Sequence, residues 1–211
     1  MALMRTTNAA RPPAEPTPQP GFDELLSRLT ETDRELRRRA AFALDAADPA
    51  AAVPALLARV GEETDPTVRD AVLTVLAGHD DLTVARSLVA HLTSEDAGLR
   101  TAVVGALSSM PGSVPHLLPA LVVDPDPDVR ILTAMLLADL EPPVAVAWLV
   151  EMILSDDHPN VVGTAIDSLQ PYFGSEHIGL LEATRDRFRR DPFLRFVIDT
   201  ALARLNGGGN R

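Results

Sequence analysis

The chain has 211 residues, 46% hydrophobic and 23% charged but only 4% aromatic, with 30 acids against 19 bases and a net charge of -11. That is apolar material for a real core filled by Leu, Val and Ala, which excludes wholesale disorder. Cysteine is absent and all 19 bases are Arg, which excludes disulfides, thiolate zinc, a cysteine nucleophile, Schiff-base chemistry and a Walker-type phosphate lysine.

Residues 1–21 contain Pro12, Pro13, Pro16, Pro18 and Pro20 with almost nothing to bury, and are expected to form a disordered Pro-rich tail. Pro13-Ala14-Glu15-Pro16 has the PxxP spacing, but in so proline-dense a stretch it reads as linker. No secretory leader or membrane-length apolar run is evident, so the expected location is cytoplasmic.

From residue 22 onward a phrase recurs: Asp65-Pro66-Thr67-Val68-Arg69, Asp126-Pro127-Asp128-Val129-Arg130 and Asp191-Pro192-Phe193-Leu194-Arg195, with looser copies from Asp33, Asp96 and His158. The starts are spaced by 32, 31, 30, 32 and 33 residues. Eleven residues after each start stand Leu44, Leu76, Leu107, Leu137, Leu169 and Leu202, and the intervening segments carry Leu25, Leu57, Leu88, Leu118, Leu149 and Leu181 at the same period. Asp can accept hydrogen bonds from free first-turn amides, and Pro suits the first helical position, so each phrase opens a helix. Its positions +3, +7, +10 and +11, such as Val68, Val72, Val75 and Leu76, make one apolar stripe of helical period. The preceding segment carries another stripe, so each unit is a helical hairpin that buries its faces only by stacking on its neighbours.

The expected helix pairs lie over 22–31 and 33–46, 49–61 and 65–78, 81–93 and 95–109, 112–123 and 126–140, 142–155 and 158–171, and 174–189 and 191–206. Asn206 to Arg211 reads as a helix stop followed by a flexible end over 207–211. The fold expected is all-α: an α-solenoid of six stacked hairpins over 22–206.

On the Asp-Pro-x-Val-Arg phrases and the leucine ladders, the chain resembles the HEAT-repeat α-solenoids, and the short bacterial type of phycobilisome-lyase HEAT-like proteins in particular. The resemblance implies a polar ladder of Asp and Arg along the second-helix layer, here Asp65, Asp96, Asp126 and Asp191 with Arg37, Arg69, Arg100, Arg130 and Arg195. His158 and Val162 break it, so the stack is expected to bend, loosen or host a special contact in the fifth unit. The resemblance is specific for fold and not for activity, since such arrays serve as scaffolds, adaptors, bilin lyase subunits and a few DNA glycosylases.

None of His79, His91, His116, His158 and His177 pairs with another at helical ligand spacing. His91 falls at a core or rim position, and His79-Asp80-Asp81 and Asp156-Asp157-His158 read as turns whose acids cap helices. With no nucleophile elbow and no phosphate loop, the expectation is no catalytic set, no cofactor and no metal. Residues 40–184 hold 21 acids and 5 arginines, a net of -16, while 1–39 come to +1 and 185–211 to +4. Nucleic acid is therefore disfavoured, and the arginines at the two ends (Arg34, Arg37, Arg38, Arg39; Arg185, Arg187, Arg189, Arg190, Arg195) read first as polar end caps.

Opposite the core stripe, positions +2, +5, +9 and +12 of each second helix are expected to line the concave side. There the small residues Thr101, Gly105 and Gly163 adjoin the apolar Ile131 and Met135 between the acids Asp70, Asp128 and Asp167. Such a face fits a protein segment with apolar anchors and basic flanks. The functional expectation is a non-enzymatic adaptor or scaffold, with a chromophore-lyase-like enzyme or subunit as the alternative that the resemblance adds, and nucleic-acid binding through the basic ends as the third.

Overall fold

A computed structural model describes residues 20–208. The expected tail falls outside them except for residues 20 and 21, and the expected flexible end except for the backbone of 207 and 208. Twelve α-helices and no strand occur among the described residues. They are α1 (Phe22–Arg28), α2 (Arg34–Leu44), α3 (Pro49–Val60), α4 (Pro66–Gly78), α5 (Leu82–Val89), α6 (Ala97–Ser108), α7 (Leu118–Leu121), α8 (Pro127–Ala138), α9 (Pro142–Ser155), α10 (Pro159–Leu169), α11 (Ile178–Arg187) and α12 (Pro192–Gly208).

The helix starts follow the chemistry of the phrase. Asp33, Asp48, Asp65, Asp81, Asp96 and Asp126 each accept a first-turn amide in the side chain, and Asp191 accepts from the Leu194 N–H at 2.8 Å. Proline opens α3, α4, α8, α9, α10 and α12, where the missing N–H costs nothing. The expected helix over 112–123 is interrupted: a 3-10 turn, Val114–His116, precedes the single turn of α7. Pro115 and Pro119 each remove a donor in a segment too short to spare one. At the other end α12 runs through Gly208, past the stop expected at Asn206, because extending a formed helix needs no new nucleus.

The even-numbered helices pack in order, α2 on α4, α4 on α6, α6 on α8, α8 on α10 and α10 on α12. The odd-numbered helices form the second layer, α3 on α5 and α9 on α11. Between the layers Leu44, Leu76, Leu107, Leu137 and Leu169 are completely buried, as are Leu88, Leu118, Leu149 and Leu181. At one rung Leu56, not the expected Leu57, is the buried residue. Two adjacent leucines differ by 100° around the helix, and only the packing decides which points inward.

Candidate partner-binding groove

The accessible side of the second-helix layer carries an open groove of about 510 Å³ between α4 and α6, edged by Asp70, Thr74 and Ser109 and floored by Ala77, Gly78 and Gly105. Its floor is low because the residues there are small and the hydroxyls are turned back. Thr74 donates to the Asp70 carbonyl at 2.7 Å and Ser109 to the Gly105 carbonyl at 3.4 Å, each satisfied by its own helix. Past Asp70 and Thr74 it continues into a recess of about 430 Å³ against Arg34, Glu35, Arg38 and Phe42 of α2. Arg38 and Arg39 donate to the Glu35 carboxylate and hold it at about 2, well below the ordinary carboxylate value. The Arg38 guanidinium also lies 5.8 Å from the centre of the Phe42 ring.

Of the residues expected to contact a partner, Asp70, Thr101, Gly105, Asp128 and Asp167 are exposed, Met135 is 44% exposed and Ile131 is half-buried. Asp70 and Gly105 line one groove. Ile131 and Met135 on α8 and Asp167 on α10 repeat the register positions of Asp70 and Gly105 farther along, with Asp128 one turn before Ile131. Gly163 is a correction: it is buried, because Leu194 of α12 lies over it, Cδ1 3.7 Å from where a Cβ would stand.

The polar ladder exists but runs through different acids. Arg37, Arg69, Arg100 and Arg130 each donate to the carbonyl six residues earlier, on Glu31, Glu63, Ser94 and Asp124. Arg37 then reaches Glu63 at 2.8 Å, Arg69 reaches Asp96 at 2.7 Å and Arg130 reaches Asp156 at 2.6 Å, each in the next unit. Only Arg69 with Asp96 is a pair of the expected kind. Asp65 and Asp126 cap their own helices; Arg37 takes the acid two residues before Asp65, and Arg130, whose next unit starts at His158, takes the acid two residues before that. Arg100 makes no ion pair among the described residues, and neither does the exposed Arg195, beyond which no further unit is described.

That acid two residues before the start is the feature the sequence reading missed. Glu63, Asp124 and Asp156 each accept from the start residue's N–H, and Ser94 does so through its hydroxyl. The recurrence of Glu31, Glu63, Asp124 and Asp156 at one register position was the available signal. Glu63 is fully buried in its side chain and collects two guanidiniums, Arg37 and Arg59, besides the Asp65 N–H. Burial pushes its pKa up, but the hydrogen bonds from Arg37, Asp65 and Arg59 more than offset this and hold it at about 2.

At the fifth unit, where Val162 replaces the arginine, a special contact is found. Arg187, at the end of α11, donates to the Asp156 carbonyl at 3.1 Å, the acceptor that an arginine at 162 would have taken, and to the Ile153 carbonyl at 2.6 Å and the Leu154 carbonyl. Its guanidinium lies 4.7 Å from the centre of the Phe188 ring.

The two histidine-acid clusters are occupied by the backbone. Asp81 caps α5 through the Thr83 and Val84 amides. Asp80 accepts from the Gly112 and Ser113 amides at 2.8 and 3.0 Å, and Asp156 from the His158 amide at 2.8 Å. His91 is half-buried beside Gly61, and burial lowers its pKa. No group of three or more potential metal ligands is found among the described residues, and no helix there is long and apolar enough to cross a membrane.

A family model of HEAT repeats matches residues 22–108 and 114–192. No curated protein matches the sequence. Among solved structures, an engineered protein is 20% identical over 89% of this chain and 97% of its own, with a TM-score of 0.39. A second engineered protein is 21% identical over 87% of this chain and 57% of its own, with a TM-score of 0.38. The complex of CpcE and CpcF of phycocyanin lyase from Nostoc sp. PCC7120 contains a chain that is 19% identical over 92% of this chain and 97% of its own, with a TM-score of 0.30. These likenesses carry no activity over to this chain.

Proposed function

The chain belongs to the HEAT-repeat family, and from that premise we propose that it is a non-enzymatic adaptor or scaffold that holds a segment of another protein along its second-helix face. The solenoid over 22–206 is the binding unit in this reading, with 1–21 and 207–211 as flanking tails. The observation that carries it is the groove between α4 and α6: about 510 Å³, open, with a floor of Ala77, Gly78 and Gly105 beside the exposed Asp70. Farther along the same face, Met135 and Ile131 offer apolar contacts between Asp128 and Asp167. Small floors admit a backbone closely, and a flexible thioether adapts to what lies on it. The net charge of -16 over residues 40–184 favours a segment with basic residues flanking apolar anchors and repels polyphosphate.

Affinity purification from the native cell with mass spectrometry identifies the partner, and purified components then test the face. Replacing Ile131 and Met135 together with Asp abolishes capture while circular dichroism stays unchanged. Undiminished capture by that variant overturns the assignment.

A further inference from the structure

Among the described residues α12 is the last of the second helices, and its exposed face carries two phenylalanines besides the charges expected of a basic cap. Phe196 stands at the register position that Gly163 holds one unit earlier, and Gly163 is covered by Leu194 of the following helix. Nothing among the described residues follows α12 in the stack; Phe196 is 69% exposed and Phe193, one turn before it, 64%. A repeat array ordinarily ends in a polar outer face, and two adjacent bare phenylalanine rings are a large apolar surface to leave in water. Cations rim them. Arg189, Arg190 and Arg195 are exposed and make no ion pair among the described residues, and a recess of about 460 Å³ opens beside Phe188, Arg189, Arg190 and Pro192.

We infer that this end of the solenoid is a second docking surface, for an acidic amphipathic helix of another protein stacked on α12 where the next helix of the array would lie. Its apolar side chains cover Phe193 and Phe196, and its carboxylates meet Arg189, Arg190 and Arg195. A helix is the occupant because each earlier second helix has a helix as its next neighbour in the stack. An acidic one is selected because residues 185–211 carry +4 in a chain of -11. A second copy docked end to end through this face would set the arginines against their own kind. The inference stands whether or not the groove between α4 and α6 binds anything.

The test uses the full chain and a fluorescein-labelled synthetic peptide of about 18 residues, five helical turns, with Leu at i, i+3, i+4 and i+7 spacing and Glu elsewhere. A permuted peptide of the same composition without the stripe, and a single-stranded DNA oligonucleotide, serve as competitors. The striped peptide is expected to bind, and Phe193→Ser with Phe196→Ser to weaken it about ten-fold or more. Arg189→Ser with Arg190→Ser weakens it and flattens its salt dependence. The Ile131→Asp, Met135→Asp variant binds it normally. Both rings are exposed, so the serine variant keeps its helicity. The inference is overturned if the striped peptide does not bind, if the permuted peptide or the DNA binds as well, if the serine variant binds equally, or if sedimentation shows that this face joins two copies.

Discussion

Arg187 donates to the Asp156 carbonyl, filling from the following hairpin the acceptor position that Arg37, Arg69, Arg100 and Arg130 fill from within their own helices and that Val162 leaves open. The unit that lost its arginine thus borrows one. In doing so it ties the end of α9, through the Ile153 and Leu154 carbonyls, to the end of α11.

Arg187→Leu should therefore destabilise the C-terminal hairpins selectively. Hydrogen bonds to a charged donor contribute about 1.5–3 kcal/mol where buried, and the partial exposure of this side chain reduces the sum to about 1–2 kcal/mol. Hydrogen exchange should show α11 and α12 losing protection before α2 and α4 do. Arg187→Lys recovers only part, since an ammonium lacks the planar fork that spans several carbonyls. Uniform loss of protection along the chain would contradict the bridging role.

Glu63 makes stability depend on pH. Its folded pKa of about 2 lies below the ordinary 4.5, so the unfolded chain binds the proton more readily. The stabilisation is present in full above about pH 4.5 and disappears as pH falls toward 2. A shift of that size corresponds to roughly 3–4 kcal/mol. Urea denaturation of Glu63→Gln should show a loss of that order at pH 7 and a shallower acid limb than the wild type. Parallel curves for the two proteins between pH 5 and about pH 2 would exclude the linkage.

Asp80 has φ 40°, the one positive value outside glycine among the described residues, in a region that Asp and Asn tolerate better than other side chains. The turn brings its carboxylate onto the Gly112 and Ser113 amides, joining the second hairpin to the start of the fourth. A Cβ at 112 would stand 2.7 Å from Oδ2 of Asp80, so Gly112→Ala must displace that carboxylate. Asp80→Ala and Gly112→Ala should each cost about 1–3 kcal/mol in thermal denaturation, and the double variant less than the sum, because both break one contact. Full additivity would show that the two positions are not coupled.

What was legible in the sequence is what repeats locally. The Asp caps, the opening prolines and eleven of the twelve ladder leucines follow from helix chemistry and a period, and they place the helix pairs within a few residues. The ladder partners were not legible because a cap aspartate either keeps its carboxylate for its own amides, as Asp126 does, or shares it with an arginine, as Asp96 does, and the sequence does not tell the two apart. The guanidinium then turns to an acid whose role appears only once two hairpins stack. Arg187 lies 25 positions from Val162, and packing alone brings it to the carbonyl that an arginine at 162 would have taken. Gly163 reads as groove floor by register and is buried for the same reason, since Leu194 comes from the next unit.

Gly105 separates what the groove does for binding from what its helix does for folding. It sits inside α6 with open space where a Cβ would stand, so Gly105→Ala meets no clash and gains helix propensity of about 0.5–1 kcal/mol. The added methyl projects into the groove between α4 and α6, where a partner backbone would approach most closely. The expected variant is thus more stable and binds more weakly: its thermal midpoint rises by a few degrees while the affinity for the captured segment falls. A destabilised protein would explain weak binding trivially, and this one cannot. Should Gly105→Ala gain stability and bind its partner as tightly as before, the segment does not lie on this floor, and the contact belongs to the Ile131 and Met135 stretch of α8 instead.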